Sequence, residues 1–151
     1  MSAFGAASLA QLATTHPDLQ RVFTEVVKHW DCKVLEGERT EAQAKANVAK
    51  GVSKTPDSKH LRRCSKYPVG VDAVDVAPFP LHWPTRAKDT TPAEVTRATK
   101  DVALFYFFAG YVLATADALG VKLRYGGDWN GNRAIDDQSF DDCVHFELVR
   151  P

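Results

Sequence analysis

The second half of the chain contains one long helix, and any fold of this sequence must accommodate it. Thr91 is a typical N-cap residue, Pro92 fits the first helical position, and Glu94 completes a capping box. The apolar pattern continues to about Leu119, and Gly120 is a typical residue for a helix end. Apolar side chains cover most of the circumference, at Val102, Leu104, Phe105, Phe107, Phe108, Tyr111, Val112 and Leu113. This pattern predicts a buried central helix.

Shorter elements precede and follow this helix. Apolar spacing predicts a helix over residues 17–30, and a capping-box pattern at Thr40 and Gln43 predicts a polar surface helix over residues 40–50. Residues 52–67 lack periodicity and are predicted to form a long loop. Runs typical of strands occur at residues 33–35, 69–77, 121–125 and 143–149. This order predicts an α+β fold, in which a small antiparallel sheet packs against the long central helix.

Length and composition limit the classes of protein that fit. A chain of 151 residues suits a single domain, residues 1–151, and its formal net charge of zero argues against nucleic acid as the main partner. The three cysteines do not form a disulfide framework, which favours a reducing compartment. No basic residue precedes the mildly apolar start, so we expect no signal peptide. The longest apolar run, residues 102–116, is shorter than the ~20 residues that span a bilayer, so we expect no transmembrane segment.

A carboxylate and a histidine lie close together near the C-terminus. Asp142 precedes His145 by three residues at the start of an apolar, strand-like run, and His60 and Asp75 lie far upstream. Two histidines and one carboxylate are a known ligand set for catalytic zinc, and a second carboxylate supplies the base that zinc hydrolases need. The pattern indicates a zinc peptidase. Residues 142 and 145 fall on opposite faces of an ideal strand, so we expect Asp142 in the bend before the strand.

Six motifs occur in one order along the chain, and together they resemble a known family. That family is the zinc D,D-carboxypeptidases and L-alanyl-D-glutamate endopeptidases, most closely their single-domain phage endolysins. The resemblance covers roughly residues 17–148 and implies a fold like those of hedgehog proteins and D-Ala-D-Ala peptidases. The motifs are Glu38-Arg39-Thr40-Glu41, Gly51-Val52-Ser53-Lys54-Thr55, Ser58-Lys59-His60, Ala73-Val74-Asp75-Val76-Ala77-Pro78, Gly126-Gly127-Asp128-Trp129 and His145-Phe146-Glu147-Leu148.

The resemblance also implies roles for particular residues. By their places in the motifs, His60, Asp75 and His145 are expected to bind zinc. Asp142 is expected to be the general base that takes the proton of the attacking water and passes it to the leaving amine. Arg39 is expected to stabilise the charge that develops on the carbonyl oxygen, unless it forms only a surface salt bridge.

The spacing of the expected ligands departs from the family pattern. Fourteen residues separate His60 from Asp75, where the family has only a few, as though residues 61–69 were an additional basic segment. Asp72 is therefore an alternative to Asp75, although the motif around Asp75 matches on both sides. His82 is a reserve ligand, and Cys64 lies near enough in sequence to His60 to be considered.

Substrate contacts and a second metal site remain open at this point. Ser58 is a candidate to contact the substrate, with a turn hydrogen bond as the alternative, and Trp129 is a candidate to line the cleft, with packing as the alternative. Asp128, Asn130 and Asn132 have the spacing of a calcium loop but lack its glycine and its final glutamate. Asx turns explain that spacing equally well.

We therefore expect a zinc-dependent peptidoglycan hydrolase of the endolysin type. The expected reaction is hydrolysis of the L-alanyl-D-glutamate bond of the stem peptide, and the expected partner is peptidoglycan, bound by a monomer. The protein would remain in the host cytoplasm until the membrane is permeabilised, and would then lyse the bacterium from within. The alternatives are a D-Ala-D-Ala carboxypeptidase or dipeptidase of the same family, and a non-catalytic, zinc-stabilised module that binds the cell wall.

Overall fold

The computed structural model describes residues 2–66, 69–83 and 91–149. The helices are α1 (Ala6–Leu12), α2 (Pro17–His29), α3 (Glu41–Ala49) and α4 (Pro92–Ala118), and a short 3₁₀ turn covers Arg62–Cys64. The strands are β1 (Cys32–Glu36), β2 (Ala73–Pro78), β3 (Leu123–Tyr125) and β4 (His145–Leu148). The predicted α+β class, with a small antiparallel sheet and a long helix, is confirmed.

The sheet has the strand order β1-β2-β4-β3, and each neighbouring pair is antiparallel. In the register of β2 and β4, Asp75 lies directly opposite His145. Successive side chains of a strand point to opposite faces, so Val74 and Phe146 lie in the hydrophobic core while Asp75 and His145 face away from it. The sheet therefore has one face for packing and one for polar chemistry.

The packing face of the sheet rests on α2 and α4. Phe146 lies at the centre, with its ring 5.4 Å from that of Phe23 in α2 and 6.3 Å from that of Phe108 in α4. All three rings are fully buried, and Val22 and Val26 of α2 extend the same core. Burial of aromatic rings contributes much of the hydrophobic free energy of folding, so this layer gives the opposite face a rigid support.

The long helix α4 packs against the sheet, but its burial is less complete than its sequence predicts. Phe105, Phe108 and Val112 are buried, whereas Phe107 is 70% exposed and Val102 is also exposed. The predicted buried central helix is therefore buried only in part: one side packs against the sheet and α2, and residues on its other side are exposed. Length and composition alone would allow α4 to cross a membrane, a test that core helices also pass.

Local interactions account for other differences from the prediction. The helix α1 was not predicted, and its Ser8 hydroxyl accepts a hydrogen bond from the Val34 N–H of β1 at 3.2 Å. The strand β2 begins at Ala73 rather than at residue 69, because Gly70 has a positive φ of 75° and packs tightly against the Thr15 backbone. The chain before β2 is therefore fixed to the end of α1 instead of to the sheet.

Candidate metal centre and active site

Three segments of the chain bring together the residues expected to bind zinc. Asp75 comes from the middle of β2, and His145 is the first residue of β4, directly opposite it. His60 comes from the long loop after α3, and its backbone oxygen accepts a hydrogen bond from the Arg39 N–H at 2.9 Å. The sheet thus fixes two of the three side chains, and the loop that carries the third is fixed to the segment before α3.

The polar atoms of these side chains form a nearly equilateral triangle. His60 Nε2 lies 3.0 Å from Asp75 Oδ1 and 3.1 Å from His145 Nδ1, and His145 Nδ1 lies 3.1 Å from Asp75 Oδ1. Tetrahedral zinc with bonds of about 2.0–2.2 Å needs ligand atoms ~3.3 Å apart, so a small expansion would suffice. Within the part of the chain that the structure describes, no other group of His, Cys, Asp and Glu side chains converges in this way.

The outer nitrogen of each histidine is also hydrogen-bonded. His60 Nδ1 lies 2.7 Å from the Gly37 carbonyl oxygen, and His145 Nε2 lies 3.1 Å from Glu147 Oε2. A carbonyl oxygen can only accept, so the proton of His60 lies on Nδ1 and its Nε2 lone pair faces the triangle. Histidines that bind metals almost always have such an outer partner. The donor atoms and their orientation therefore fit a zinc ion.

Contacts with the end of α1 hold Gly37 in place. The Gly37 N–H donates to Gln11 Oε1 at 3.0 Å, and a Cβ on residue 37 would overlap the Thr14 side chain and the Gln11 backbone. No larger residue fits there. The unpredicted helix α1 thereby contributes to the orientation of His60.

The charges of the triangle stabilise one another. Burial by itself would raise the pKa of Asp75, but the two histidine rings lower that pKa well below its usual range. Burial would lower the pKa of His145, but hydrogen bonds to Asp75 and Glu147 and their charges raise it to about 9. The negative charges that raise the pKa of His145 are the same charges that would attract a divalent cation.

Asp142 lies in the turn before β4, beside the triangle. Its N–H donates to the Gly126 carbonyl oxygen at 2.8 Å, and its own carbonyl oxygen accepts from the His145 N–H at 3.1 Å. Burial, followed by the negative charge of Asp75, raises the pKa of the Asp142 carboxyl. A Cβ at Gly126 would overlap the Asp142 backbone oxygen. The turn thus places Asp142 off the strand, as the alternation of side chains requires.

Arg39 also lies beside Asp75. Its side chain is only 10% exposed, and its Nη2 lies 3.9 Å from Asp75 Oδ2. Glu36, which is opposite Asp75 in the register of β1 and β2, holds the guanidinium through Nε at 3.0 Å and through Nη2. The sequence did not predict this contact between Glu36 and Arg39. The Arg39 guanidinium is thus held beside the candidate metal site and is not one of its converging groups.

The alternative ligands do not join the triangle. Asp72 is buried, and its Oδ2 accepts a hydrogen bond from the Lys66 N–H at 3.1 Å. His82 is exposed, and the Cys64 sulfur lies 3.6 Å from an Arg63 nitrogen. None of the three belongs to the group of converging side chains.

The two candidate substrate residues have different surroundings. The Ser58 hydroxyl accepts a hydrogen bond from the His60 N–H at 3.3 Å, which is the turn hydrogen bond considered as the alternative. The Trp129 ring lies against the His145 ring, with centroids 5.3 Å apart, and its indole N–H donates to the Phe140 carbonyl oxygen at 2.8 Å. Trp129 therefore packs against His145, whereas Ser58 shapes the loop that carries His60.

The expectation of a calcium ion in the acidic loop finds no support. The Asp128 carboxylate accepts hydrogen bonds from the N–H groups of Asn132 and Arg133, and the side-chain Oδ1 of Asn130 accepts from the Asn132 N–H as well. The side-chain Oδ1 of Asn132 accepts from the Ala134 N–H at 2.8 Å. These are Asx turns, which explain the spacing of the residues. The oxygens that were considered as calcium ligands thus accept backbone hydrogen bonds.

The additional basic segment contacts both sides of the Arg39 region. Arg62 bonds Glu38 at 2.6 Å, and Arg63 bonds Glu41 and Asp57, each at 2.7 Å. These pairs are exposed, so each contributes little free energy, but together they connect the His60 loop to the start of α3. Residues 67 and 68 of this segment lie outside the described residues.

Glu147, like Glu36, contacts a candidate site residue without having been predicted from the sequence. It lies two positions after His145 in β4, so both side chains occupy the same face of the sheet. The alternation of side chains would have indicated this contact.

Known proteins resemble this chain over nearly its full length. The pattern of the family described as phage L-alanyl-D-glutamate peptidase matches residues 1–149. The L-alanyl-D-glutamate peptidase of Escherichia phage T5 is 31% identical over 154 residues, which cover 97% of each chain. The crystal structure of the L-Ala D-Glu endopeptidase ChiX of Serratia marcescens superposes with a TM-score of 0.62 at 26% identity, over 97% of this chain and 89% of ChiX.

Proposed function

Because this chain belongs to the phage L-alanyl-D-glutamate peptidase family, we propose that it is a zinc-dependent endolysin that hydrolyses the L-alanyl-D-glutamate bond of the peptidoglycan stem peptide. The observation that carries the proposal is the convergence of His60 Nε2, His145 Nδ1 and Asp75 Oδ1. The names of the phage T5 and Serratia relatives support the choice of bond.

His60, Asp75 and His145 would hold the zinc ion. When bound, zinc would supply Lewis acidity, which lowers the pKa of a water molecule and polarises the peptide carbonyl. Three ligands from the protein leave room for water and substrate. The hydrogen bond from His60 Nδ1 to the Gly37 carbonyl oxygen supports this arrangement, because it leaves the Nε2 lone pair of His60 facing the ion.

Asp142 would be the general base. Its carboxylate is outside the ligand triangle, but the charges of Asp75, His145 and His60 affect its pKa. A raised pKa makes the carboxylate a better proton acceptor, provided that it is ionised at the working pH. Asp142 would take a proton from the attacking water and deliver it to the nitrogen of the leaving D-glutamate.

Arg39 would stabilise the negative charge on the carbonyl oxygen of the scissile bond. The guanidinium is nearly buried and is held by Glu36, so it would need little reorganisation during the reaction. Trp129 would line the cleft beside His145, and Ser58 would contact the substrate if its hydroxyl were released from the turn hydrogen bond.

The substrate implied by the family is peptidoglycan. We propose that the chain acts as a monomer, accumulates in the host cytoplasm and reaches the wall after a separate protein has permeabilised the membrane. The family assignment supports action on the wall after release.

Digestion of purified peptidoglycan tests the proposed function. The protein is incubated with wall material, with and without a chelator, and the new ends are identified by mass spectrometry. New N-terminal D-glutamate, lost with chelator and restored by zinc, is the expected result. Release of D-alanine would instead favour the carboxypeptidase alternative. Wall binding without cleavage would favour the non-catalytic module.

A further inference from the structure

Glu147 is a buried carboxylate that the proposed chemistry does not use. Its side chain is only 5% exposed. Its Oε2 lies 3.1 Å from His145 Nε2, and its Oε1 accepts a hydrogen bond from Arg124 Nε at 2.8 Å and lies 3.2 Å from Lys59 Nζ. A buried carboxylate is costly unless it is paired, and here two cations share one oxygen while the other oxygen faces the histidine.

The partners of Glu147 form a closed ring of contacts. Arg124 lies directly opposite Glu147 in the register of β3 and β4. Its Nη1 donates to the Trp129 carbonyl oxygen at 3.3 Å, and its guanidinium carbon lies 5.8 Å from the centroid of the Trp129 ring. That ring packs on His145. Glu147 and Trp129 therefore both contact the His145 ring, and Arg124 connects them.

Lys59 extends this network to the second histidine. It directly precedes His60, and its Nζ bonds Glu147 Oε1 at 3.2 Å and the Leu148 carbonyl oxygen at 3.4 Å. Glu147 is thus connected to the His60 loop as well as to His145. The His60 loop and β4 are far apart in the sequence.

We propose that Glu147 is a positioning residue, which fixes the tautomer and orientation of His145 for metal binding. An ionised carboxylate can only accept, so it requires a proton on Nε2 and leaves the Nδ1 lone pair directed at the triangle. Arg124 and Lys59 hold the carboxylate in place through its other oxygen. This inference rests on the proposed function, in which His145 is a zinc ligand.

The substitution Glu147→Gln tests this role with little change in shape. A glutamine can turn its NH₂ group towards Nε2 and so favour the wrong tautomer, and it lacks the charge that makes the imidazole a stronger ligand. We expect zinc affinity, measured by competition with a chelator, to fall roughly 10- to 100-fold. Arg124 and Lys59 are 38% and 36% exposed, so water can solvate both cations and the variant should fold.

Glu25→Gln is the matched control. Glu25 is in α2, where it pairs with Lys28 at 2.6 Å on the surface. The same loss of one carboxylate at that position should leave zinc affinity unchanged. Equal zinc affinity in the Glu147→Gln variant and the wild type would overturn the proposal.

NMR of the zinc-loaded wild-type protein, with labelled histidine nitrogens, gives a test that does not depend on a variant. We expect His145 to carry its proton on Nε2 and to bind the metal through Nδ1. A proton on Nδ1, with the metal on Nε2, would overturn the role of Glu147 while leaving the peptidase proposal intact. A wild-type protein that binds no zinc would overturn both.

Discussion

At the scale of single residues, the pKa values of two aspartates in one site are shifted in opposite directions. The histidines lower the pKa of Asp75, whereas burial and the charge of Asp75 raise the pKa of Asp142. Groups whose pKa values are moved apart in this way are suited to different roles. The lowered pKa of Asp75 suits metal binding, and the raised pKa of Asp142 suits proton transfer.

Replacement of Asp142 by asparagine separates these roles. The variant keeps the shape of the side chain and the backbone hydrogen bonds of the turn, but it cannot accept the proton of water. We expect normal zinc content and a fall in kcat of roughly 10²- to 10⁴-fold. Zinc analysis and peptidoglycan digestion measure the two effects. Undiminished hydrolysis would show that Asp142 is not the base.

Replacement of Arg39 by methionine tests the proposed stabilisation of the carbonyl oxygen. Loss of a donor of this kind lowers kcat by roughly 10²- to 10³-fold, with a smaller effect on KM. Arg62→Met is the control, since Arg62 pairs with Glu38 on the exposed side of the same region. If kcat falls by the same factor in both variants, Arg39 has only a structural role.

At the scale of elements, the connection between β3 and β4 depends on a close approach of backbones. Gly126 lies against the Asp142 backbone, and a Cβ there would also come within 3.0 Å of the Cβ atoms of Asp142 and His145. Backbone atoms cannot move aside as a flexible side chain can. A change at Gly126 should therefore affect both the stability of the sheet edge and the positions of the site residues.

The substitution Gly126→Ala should destabilise the fold by roughly 1–3 kcal/mol, as overpacking does, and should lower activity because it displaces Asp142 and His145. In contrast, Gly110 lies in α4 with no atom near its missing Cβ. Gly110→Ala should stabilise the protein by roughly 0.5–1 kcal/mol, because it favours the helix. Urea unfolding measures both changes. Effects of the same sign would contradict this account.

The sequence allows some elements to be predicted better than others, for physical reasons. Local capping signals predicted α4 well, since its capping box uses only neighbouring residues. Its exposed side was not predicted, because burial depends on how much surface the rest of the fold covers. The helix α1 is short and is held by contacts such as that of Ser8 with β1, which no local pattern reveals. The convergence of His60, Asp75 and His145 followed from motifs, not from periodicity.

At the scale of the whole molecule, the candidate metal site joins parts of the chain that are distant in sequence. His60, Asp75 and His145 come from a loop and two strands, so an ion bound to all three would bind the folded state only. A ligand present at 100 times its Kd stabilises the folded state by about 2.7 kcal/mol. The metal would thus contribute to stability as well as to chemistry.

Removal of zinc should therefore lower Tm. For a chain of this size, the loss of 2.7 kcal/mol corresponds to a decrease of roughly 5–10 °C. Thermal unfolding with chelator, and again after addition of zinc, measures the effect. His60→Ala is the control and should show little response to zinc. A wild-type Tm that is independent of zinc would contradict a site made of these three residues.

The pairing of Asp75 with His145 also determines which changes of chain length the protein can tolerate. A deletion of one residue within β2 or β4 would turn a ligand towards the hydrophobic core, because side chains alternate along a strand. The fourteen residues between His60 and Asp75 are different, since most of them lie outside the paired strands. Insertions there lengthen a loop at a small entropic cost. Distant relatives should accordingly differ most in the interval between these two ligands, and a search that requires fixed spacing there would miss them.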